Sequence, residues 1–401
     1  MARTAEPIAT TTAVERLVAA ARAHGRIGLD TEFMRERTYR ARLCLVQVAA
    51  GDGVELVDPL AGGDLSGIAG LIGDERVQVI VHAGKQDLEI FHETFGVVPR
   101  NVFDVQLAAG FAGYGASLPY GRLVELLTGT PLVKGESYTD WCRRPLTEKQ
   151  MSYAADDVRY LPAMCERLER ELEALGRTAW VRDEMAHLER PESYGVDLDE
   201  AWRKVAGRGA LSGRQTTVLR EVAAWRERTA ARRDVPRGWL VKDPTLVEIA
   251  RRQPSSIGAL KSIRGLNAKE AERSGGAILE AVERGRRADP IALDGRAAPR
   301  EVTTRARMTV GLADAVLRAR SERARVAPEL VATRAELEGV LVEAFCGNLD
   351  PGRHRLLRGW RRELAGDSVL ALARGEVAVR VVKDPPYVEE VAAAWSATRN
   401  A

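Results

Sequence analysis

The residues best suited to chemistry lie in LTEKQMSYAADDVRYL, at positions 146–161, where Tyr153 and Asp157 stand four residues apart. Thr147 is of a type that caps helix N-termini, and apolar residues recur with a helical period. The stretch therefore predicts a helix with the phenol and the carboxylate on one face. An ordinary solvated helix face can carry the same pair. Its chemical meaning depends on whether other carboxylates converge on this helix.

A second set of acids, Asp30 and Glu32, lies in GRIGLDTEF, which predicts a strand beginning at about Arg26. Residues two apart on a strand project from the same face, so both carboxylates would point the same way. Acids are depleted from strands and are costly to bury without a partner, so a central position would require a cation beside them. An exposed edge strand with solvated acids is the alternative.

A further candidate, Asp87, follows the apolar run VQVIVHA at residues 77–83, which is typical of a central strand. The next segment, GKQDLEIFHETFG, predicts a helix that ends at Gly96 and has Asp87 in its first turn. Ligand sites in α/β sheets form beyond the carboxyl ends of strands, which is where this carboxylate would lie. An acid placed there for the helix dipole alone is the alternative.

The other patterns in the first 145 residues predict the elements around these acids. Residues 11–24 and 64–73 predict helices. ARLCLVQVAA and GDGVELVDP predict two strands joined by a Gly-Asp-Gly turn. Residues 101–111 begin another helix, with Asp104 near its start, and residues 112–145 are rich in loop-forming residues. The predicted helix of Tyr153 and Asp157 follows directly.

The composition is that of a globular protein of two or three domains, with 401 residues, 45% hydrophobic and 29% charged. No run approaches the ~18 apolar residues of a membrane span, and the polar N-terminus lacks a signal peptide's apolar segment, so a cytoplasmic location is predicted. The cysteines are Cys44, Cys142, Cys165 and Cys346. They form no CxxC pair, and we expect them to be reduced and mostly buried, without zinc or disulfides.

The net charge of +3 hides an uneven distribution along the chain. Residues 1–200 carry 22 basic and 32 acidic side chains, whereas residues 201–300 carry 22 basic and 11 acidic ones. An acidic front half beside a basic segment indicates one module for cation-dependent chemistry and another that holds a polyanion. A simple bias toward Arg-rich helices is the alternative.

Six segments, taken in order, resemble the bacterial ribonuclease D family, in the branch of the DEDD exonuclease superfamily whose third motif is Tyr-x-x-x-Asp. They are DTEF (30–33), RTYRARLCLVQ (37–47), VHAGKQDLEIF (81–91), FDVQLAA (103–109), KGESYTDW (134–141) and YAADDVRYL (153–161). One motif alone would be weak, but their order and separations make the resemblance specific. Ala41 departs from the family, which usually has Pro there, and this concerns a loop.

The rest of the chain resembles small helical modules. Residues 212–285 resemble an HRDC domain, found in nucleases and RecQ-type helicases, and residues 305–380 resemble a second, more diverged copy. The resemblance implies a ribonuclease H-like α/β exonuclease domain with a mixed sheet, followed by two small all-α HRDC-type domains. The predicted boundaries are 1–203 for the exonuclease domain, 204–290 for the first HRDC domain, 291–304 for a linker, and 305–401 for the diverged copy and C-terminal tail.

The resemblance also assigns roles to the acids. Asp30, Glu32 and Asp157 would hold one divalent cation, and Asp30 with Asp87 a second, as Mg²⁺ or Mn²⁺. These hard ions prefer oxygen ligands, and two of them suit phosphodiester hydrolysis because they activate water and neutralise charge on the attacking and leaving oxygens. Tyr153 would orient the attacking water by a hydrogen bond. No small-molecule cofactor is implied.

The implied activity is that of a 3′-to-5′ exoribonuclease, which trims structured RNA precursors such as tRNA at a free 3′ end and releases 5′-monophosphates. Candidate RNA contacts, for which a solvated surface is the alternative, are Phe33, Arg226, Arg228, Arg232, Arg233 and Arg237. Trp239 is expected in the core. A DNA exonuclease of the same superfamily would carry the same motifs, whereas a non-catalytic RNA-binding protein would be expected to lack at least one acid.

Overall fold

The structure, a computed structural model, describes residues 6–132, 139–291 and 298–393. Five strands form a central sheet and two form a separate hairpin. They are β1 Arg26–Met34, β2 Arg42–Ala50, β3 Gly53–Val57, β4 Gln78–Val81, β5 Val102–Asp104, β6 Val377–Val381 and β7 Val388–Ala392. The predicted linker lies partly outside the described residues, as does the motif at 134–141.

The central sheet has the order β3-β2-β1-β4-β5. β4 and β5 run parallel to β1, while β2 is antiparallel to both of its neighbours, so the sheet is mixed as the family resemblance implies. β1 is the middle strand, which excludes the alternative of an exposed edge. Its register with β2 sets Asp30 opposite Gln47 and Glu32 opposite Leu45.

Eight helices accompany this sheet within the described residues. They are α1 Thr11–His24, α2 Ser66–Ile72, α3 Lys85–Phe95, α4 Val105–Ala112, α5 Tyr120–Thr128, α6 Glu148–Arg159, α7 Leu161–Ala174 and α8 Thr178–Met185. Most of the predicted strands and helices of the first half are present, although β4 is shorter than the predicted strand at 77–83. The helix predicted to begin at residue 101 begins at Val105, because residues 102–104 form β5, and the stretch 112–145 predicted to be rich in loops contains α5. α3 ends where Gly96 adopts a left-handed conformation with φ of 69°, which glycine tolerates without strain.

Local sequence explains why α6, the helix of Tyr153 and Asp157, begins where it does. The Thr147 hydroxyl accepts a hydrogen bond from the backbone N–H of Gln150, and the Gln150 side chain accepts one from the Thr147 N–H at 2.9 Å. This reciprocal capping box satisfies two otherwise unpaired donors at the helix start. The predicted N-cap at Thr147 is confirmed.

The two faces of β1 bury different sets of side chains. Ile27 and Leu29 lie in one apolar cluster with residues of α1, α2 and α3. The opposite face, which carries Gly28, Asp30 and Glu32, is covered by α6 and α7. The alternation of a strand therefore sends the two acids toward α6, away from the larger apolar side chains.

Residues 213–287 form a helical module with its own apolar core. Its helices are α9 Gly213–Arg233, α10 Arg237–Leu240, α11 Asp243–Arg252, α12 Ile257–Lys261 and α13 Ala268–Arg287. The module contacts the loop that follows β1. The Tyr39 hydroxyl donates to Glu227 at 2.9 Å, and Asp234 accepts from the backbone N–H groups of Tyr39 and Arg40 at 3.0 and 3.1 Å.

The C-terminal region contains helices and one hairpin. The helices are α14 Arg300–Ala324, α15 Pro328–Val331, α16 Arg334–Cys346, α17 Gly359–Arg361 and α18 Asp367–Arg374. The antiparallel β6–β7 hairpin is an addition to the predicted all-α composition, and it follows from the alternating Val residues of VAVRV. No helix within the described residues combines the length and apolarity needed to cross a membrane.

The C-terminal helices complete the core of the exonuclease region and do not form a separate core. Residues of α14, α16 and α18 share one apolar cluster with residues of α4, α5 and α7. The rings of Phe111 and Trp360 meet edge to face at 5.0 Å, and Arg361 forms an ion pair with Glu184. These contacts join segments ~180 to 250 residues apart, which patterns of short sequence range do not reveal.

Two predictions about residues outside the candidate site are wrong. Cys44 and Cys142 form a disulfide, and Cys346 is exposed, so only Cys165 fits the prediction of a buried, reduced thiol. The fold brings the bonded pair together, with a Cα–Cα distance of 5.1 Å, although the two cysteines are 98 positions apart. Trp239 is 64% exposed and lies outside the core, because the short helix α10 buries Leu240 instead.

Candidate active site

Three carboxylates from two elements meet at one point. Asp30 and Glu32 from β1 and Asp157 from α6 each present an oxygen within 4.8 Å of the oxygens of the other two. All three residues are partly exposed, so the cluster is not enclosed in the apolar core. The structure thus brings together three of the four acids identified in the sequence.

The close approach of α6 to β1 depends on Gly28. A Cβ atom at this position would lie 3.0 Å from the Leu161 Cβ and 3.1 Å from the Val158 carbonyl oxygen. Both distances are tighter than normal van der Waals contact, so a side chain would push the helix away from the strand. Sequence analysis did not identify this role, because a lone glycine in a strand has several explanations.

Asp87 lies beside the cluster on a different element. It is in the first turn of α3, is 8% exposed, and accepts a hydrogen bond from the Thr31 hydroxyl. Its charge contributes to the raised pKa values of Asp30 and Glu32, which shows electrostatic proximity. Thr31 was not identified from the sequence, since its side chain projects from the face of β1 opposite the acids.

Burial and mutual repulsion raise the pKa values of these acids. Burial, reinforced by the charges of Asp87, Asp157 and Glu32, raises the pKa of Asp30 well above its usual value. The same two effects raise the pKa of Glu32 to about 8, and burial raises that of Asp157 to about 7. For Asp87, burial raises the pKa to about 6, partly offset by the hydrogen bond from Thr31.

Tyr153 and Tyr120 approach Asp157 from two sides. A hydrogen bond from Tyr153 lowers the pKa of Asp157 and so favours its charged form, and the Tyr153 ring lies 6.1 Å from that of Trp141. The Tyr120 hydroxyl donates to the carbonyl oxygen of Asp156 at 2.8 Å, directly before Asp157 in the chain. Burial and the charge of Asp157 raise the pKa of Tyr120. Its contribution was not visible in the sequence, since it comes from α5.

The donor set fits divalent cations. No basic side chain offsets the charge of Glu32 or Asp157 within the described residues. Fully ionised, the cluster would hold several negative charges in a partly desolvated place, which is unfavourable without a counterion. Carboxylate oxygens at this separation are the ligands that Mg²⁺ and Mn²⁺ prefer.

The predicted RNA contacts differ in their exposure and in their ion pairs. Arg226 is 5% exposed, donates to the Val241 carbonyl oxygen and pairs with Asp243 at 2.7 Å, so its prediction as a phosphate contact is wrong. A charged side chain in the middle of α9 was expected on a solvated face, but the helix is covered on several sides.

Arg233 and Arg237 also form ion pairs within the module, with Glu270 and Glu227 at 2.8 and 3.2 Å. Arg228 and Arg232 are exposed on α9, one helical turn apart. Phe33 is partly buried and packs against the apolar cluster on the α3 side of the sheet.

Comparison with known proteins agrees with this architecture. Residues 5–173 match the 3′-5′ exonuclease family and residues 215–282 match the HRDC domain family. The chain is 41% identical to ribonuclease D of Gluconacetobacter diazotrophicus, over 88% of this chain and 89% of that one. It is 39% identical to ribonuclease D of Nitrobacter hamburgensis, over 89% and 92% of the two chains.

A solved structure extends the match to three dimensions. The crystal structure of Escherichia coli RNase D, described as an exoribonuclease involved in structured RNA processing, superimposes with a TM-score of 0.77 and 32% identity. The match covers 92% of this chain and 98% of that one, so it includes the C-terminal helices as well as the exonuclease and HRDC regions. The chain therefore belongs to the ribonuclease D family of 3′-5′ exoribonucleases.

Proposed function

We propose that the chain removes nucleotides one at a time from the 3′ end of structured RNA precursors, such as those of tRNA, by hydrolysis dependent on two divalent cations. The observation that carries this proposal is the meeting of Asp30, Glu32 and Asp157 within 4.8 Å, with Tyr153 hydrogen-bonded to Asp157. The relative from Escherichia coli, which acts in structured RNA processing, supports the class of substrate. The cytoplasmic location predicted from the sequence stays part of the proposal.

The four acids would bind two cations between them. Asp30, Glu32 and Asp157 would bind one Mg²⁺ or Mn²⁺, and Asp30 together with Asp87 a second. Bound cations of this kind lower the pKa of water and neutralise negative charge on the phosphate. The hydrogen bond from Thr31 fixes the carboxylate of Asp87, which limits the geometries that this side chain can adopt.

Tyr153 would act on the water that attacks the phosphorus atom. Its hydroxyl already lies at the acid cluster, hydrogen-bonded to Asp157, so it can orient a water molecule there. The water oxygen would bond to phosphorus as the bond to the preceding 3′ oxygen breaks, and that oxygen would leave with a proton. The products are a nucleoside 5′-monophosphate and an RNA with a new 3′ hydroxyl.

The HRDC module would hold the RNA farther from its 3′ end. The exposed Arg228 and Arg232 would contact phosphates, and the exposed Trp239 offers a ring on which a base can stack. The module contacts the loop after β1 through Tyr39, so RNA bound on it would lead toward the acid cluster.

Digestion of end-labelled RNA tests the proposal. An RNA with a labelled 5′ end and its DNA counterpart are incubated with Mg²⁺ or Mn²⁺, with Asp157→Asn as the control. We expect a ladder that shortens from the 3′ end, 5′-monophosphate products, and no ladder with the control. Faster digestion of the DNA would favour a DNA exonuclease, and immediate release of the labelled 5′ nucleotide without a ladder would contradict the proposed direction.

A further inference from the structure

A buried glutamine lies next to the candidate cation site. Gln47, on β2, is 0% exposed, and neither its amide nitrogen nor its amide oxygen has a hydrogen-bond partner within the described residues. Buried polar groups nearly always have a partner, and one without a partner destabilises the fold. The position would therefore be better filled by an apolar residue if it served folding alone.

The register of the sheet identifies the polar group that Gln47 faces. Gln47 stands opposite Asp30 on β1 and opposite Leu56 on β3. Opposed residues of antiparallel strands project from the same face with Cβ atoms about 4.5 to 5.5 Å apart, which a glutamine side chain can span. Along β2 the same face carries Leu45 and Ala49. Asp30 is the one polar side chain among these four neighbours.

Two small apolar residues of the covering helix pack near this point of the sheet. Ala154 and Ala155 of α6 share an apolar cluster with Leu45 and Leu56, the residues that flank Gln47 on the sheet. None of these aliphatic side chains can pair with the amide, whereas Asp30 stands directly opposite Gln47 in the register of the sheet.

We infer that Gln47 is a positioning residue for the cation site, whose side-chain amide donates a hydrogen bond to the Asp30 carboxylate when that carboxylate binds a cation. The inference rests on the proposed function, because it requires Asp30 to be a ligand. A ligating carboxylate keeps lone pairs that can accept from a donor, and such a donor fixes the orientation of the ligand. Gln47 itself touches neither the RNA nor the reacting atoms.

The test compares Gln47→Met with Leu56→Met. The first removes the amide at nearly constant volume, and the second makes a similar change in packing on the adjacent strand and the same face. Mn²⁺ binding is titrated by calorimetry on the RNA-free chain, kcat and KM are measured on a single-stranded RNA oligonucleotide, and the metal-free Tm is measured in EDTA.

For Gln47→Met we expect the Mn²⁺ Kd to rise ~10- to 100-fold, the range seen when partners of metal ligands are removed. We expect kcat to fall with KM little changed, and the metal-free Tm to equal or exceed that of the wild-type chain, since an unpaired amide has been removed. Leu56→Met should leave the Mn²⁺ Kd and kcat unchanged. This combination, a loss of cation affinity without a loss of stability, is not expected of a structural residue.

A folded Gln47→Met chain with the wild-type Mn²⁺ Kd and kcat would overturn the inference. So would a metal-free Tm far below that of the wild type in both Gln47→Met and Gln47→Leu, because the amide would then have a structural partner. Asp157→Asn separates these results from failure of the proposed function. If the wild-type chain binds no Mn²⁺, or binds it equally well after Asp157→Asn, then the cation site itself is wrongly assigned.

Discussion

Replacing Asp157 by Asn should stabilise the metal-free chain at high pH, although it removes a proposed cation ligand. Burial raises the pKa of Asp157 from 3.8 to about 7, so the folded chain binds this proton more tightly than the unfolded chain does. The stability that the group contributes is complete below the unfolded pKa and is lost as the pH rises through the folded pKa. Asparagine does not ionise and so has no such loss.

The size of the effect follows from the difference between the two pKa values. At a pH above both pKa values, the stability lost amounts to ~4 kcal/mol. This figure is an upper bound because Asp30 and Glu32 share the repulsion and can take up the proton. We expect a gain of ~1 to 4 kcal/mol, or at least ~2 °C in Tm for a domain of this size. Asparagine keeps an oxygen that can accept the hydrogen bond from Tyr153, so that contact is retained.

Thermal melts in EDTA measure this gain. Wild type, Asp157→Asn and the exposed-site control Glu173→Gln are compared at about pH 5 and about pH 8.5. The Tm advantage of the variant over the wild type should be small at the lower pH, where most of the stability from the bound proton of Asp157 remains, and larger at the upper pH, where it is lost. The control should match the wild type at both pH values. Mn²⁺ should then raise the Tm of the wild type more than that of Asp157→Asn. If Asp157→Asn were no more stable than the wild type at about pH 8.5 in EDTA, the acids would not be crowded in the way described.

Three further substitutions test other parts of the site. Tyr153→Phe should lower kcat ~10- to 1000-fold with little change in KM, because one hydrogen bond to the attacking water is lost; wild-type turnover would make the tyrosine structural. Gly28→Val should lower kcat at least ~10-fold by pushing α6 from β1, while Gly53→Val, with no side-chain neighbour in the way, should not; equal activities would argue against the close-approach role. Arg228→Glu combined with Arg232→Glu should weaken binding of structured RNA and make the slope of log K against log salt shallower by ~0.7 per lost contact, whereas an unchanged slope would indicate another role for this surface.

Charge reversal is preferred to truncation for the last of these tests. A chain ending near Arg203 would lose the HRDC module, but it would also lose the helices that pack on Phe111 and supply Trp360. Exposure of this core would destabilise the shortened chain, so a loss of folding would be mistaken for a loss of RNA affinity. Arg228 and Arg232 can be changed without disturbing either core, because both are exposed.

Features that depend on short stretches of sequence were predictable. The strand carrying Asp30 and Glu32, the helix carrying Tyr153 and Asp157, and the position of Asp87 beyond a strand each follow from periodicity and end signals within ~15 residues. Their convergence was expected only from the family resemblance. The structure supplies the physical reason, which is that α6 covers the face of β1 from which the two acids project.

Features that depend on distant contacts were not predictable. The disulfide joins Cys44 to Cys142, and the burial of Arg226 depends on Asp243 and the turn before it. The unpaired amide of Gln47 becomes visible only when the register with β1 is known. In each case the residue type is ordinary in its local sequence. Its structural role depends on a neighbour that belongs to another element.

The central claim, that the acid cluster binds cations needed for the reaction more than for holding RNA, is tested most directly by turnover and binding of Asp30→Asn and Asp157→Asn. Single-turnover digestion of an RNA with a free 3′ end in saturating Mg²⁺ gives the rate of hydrolysis. Fluorescence anisotropy gives the RNA Kd of the same preparations. We expect no detectable hydrolysis in either variant and a nearly unchanged Kd, because the interactions lost belong to the transition state. Retention of even ~10% of the wild-type rate by either variant would contradict the assignment, since transition-state stabilisation of ~1.4 kcal/mol is far less than a cation ligand should supply.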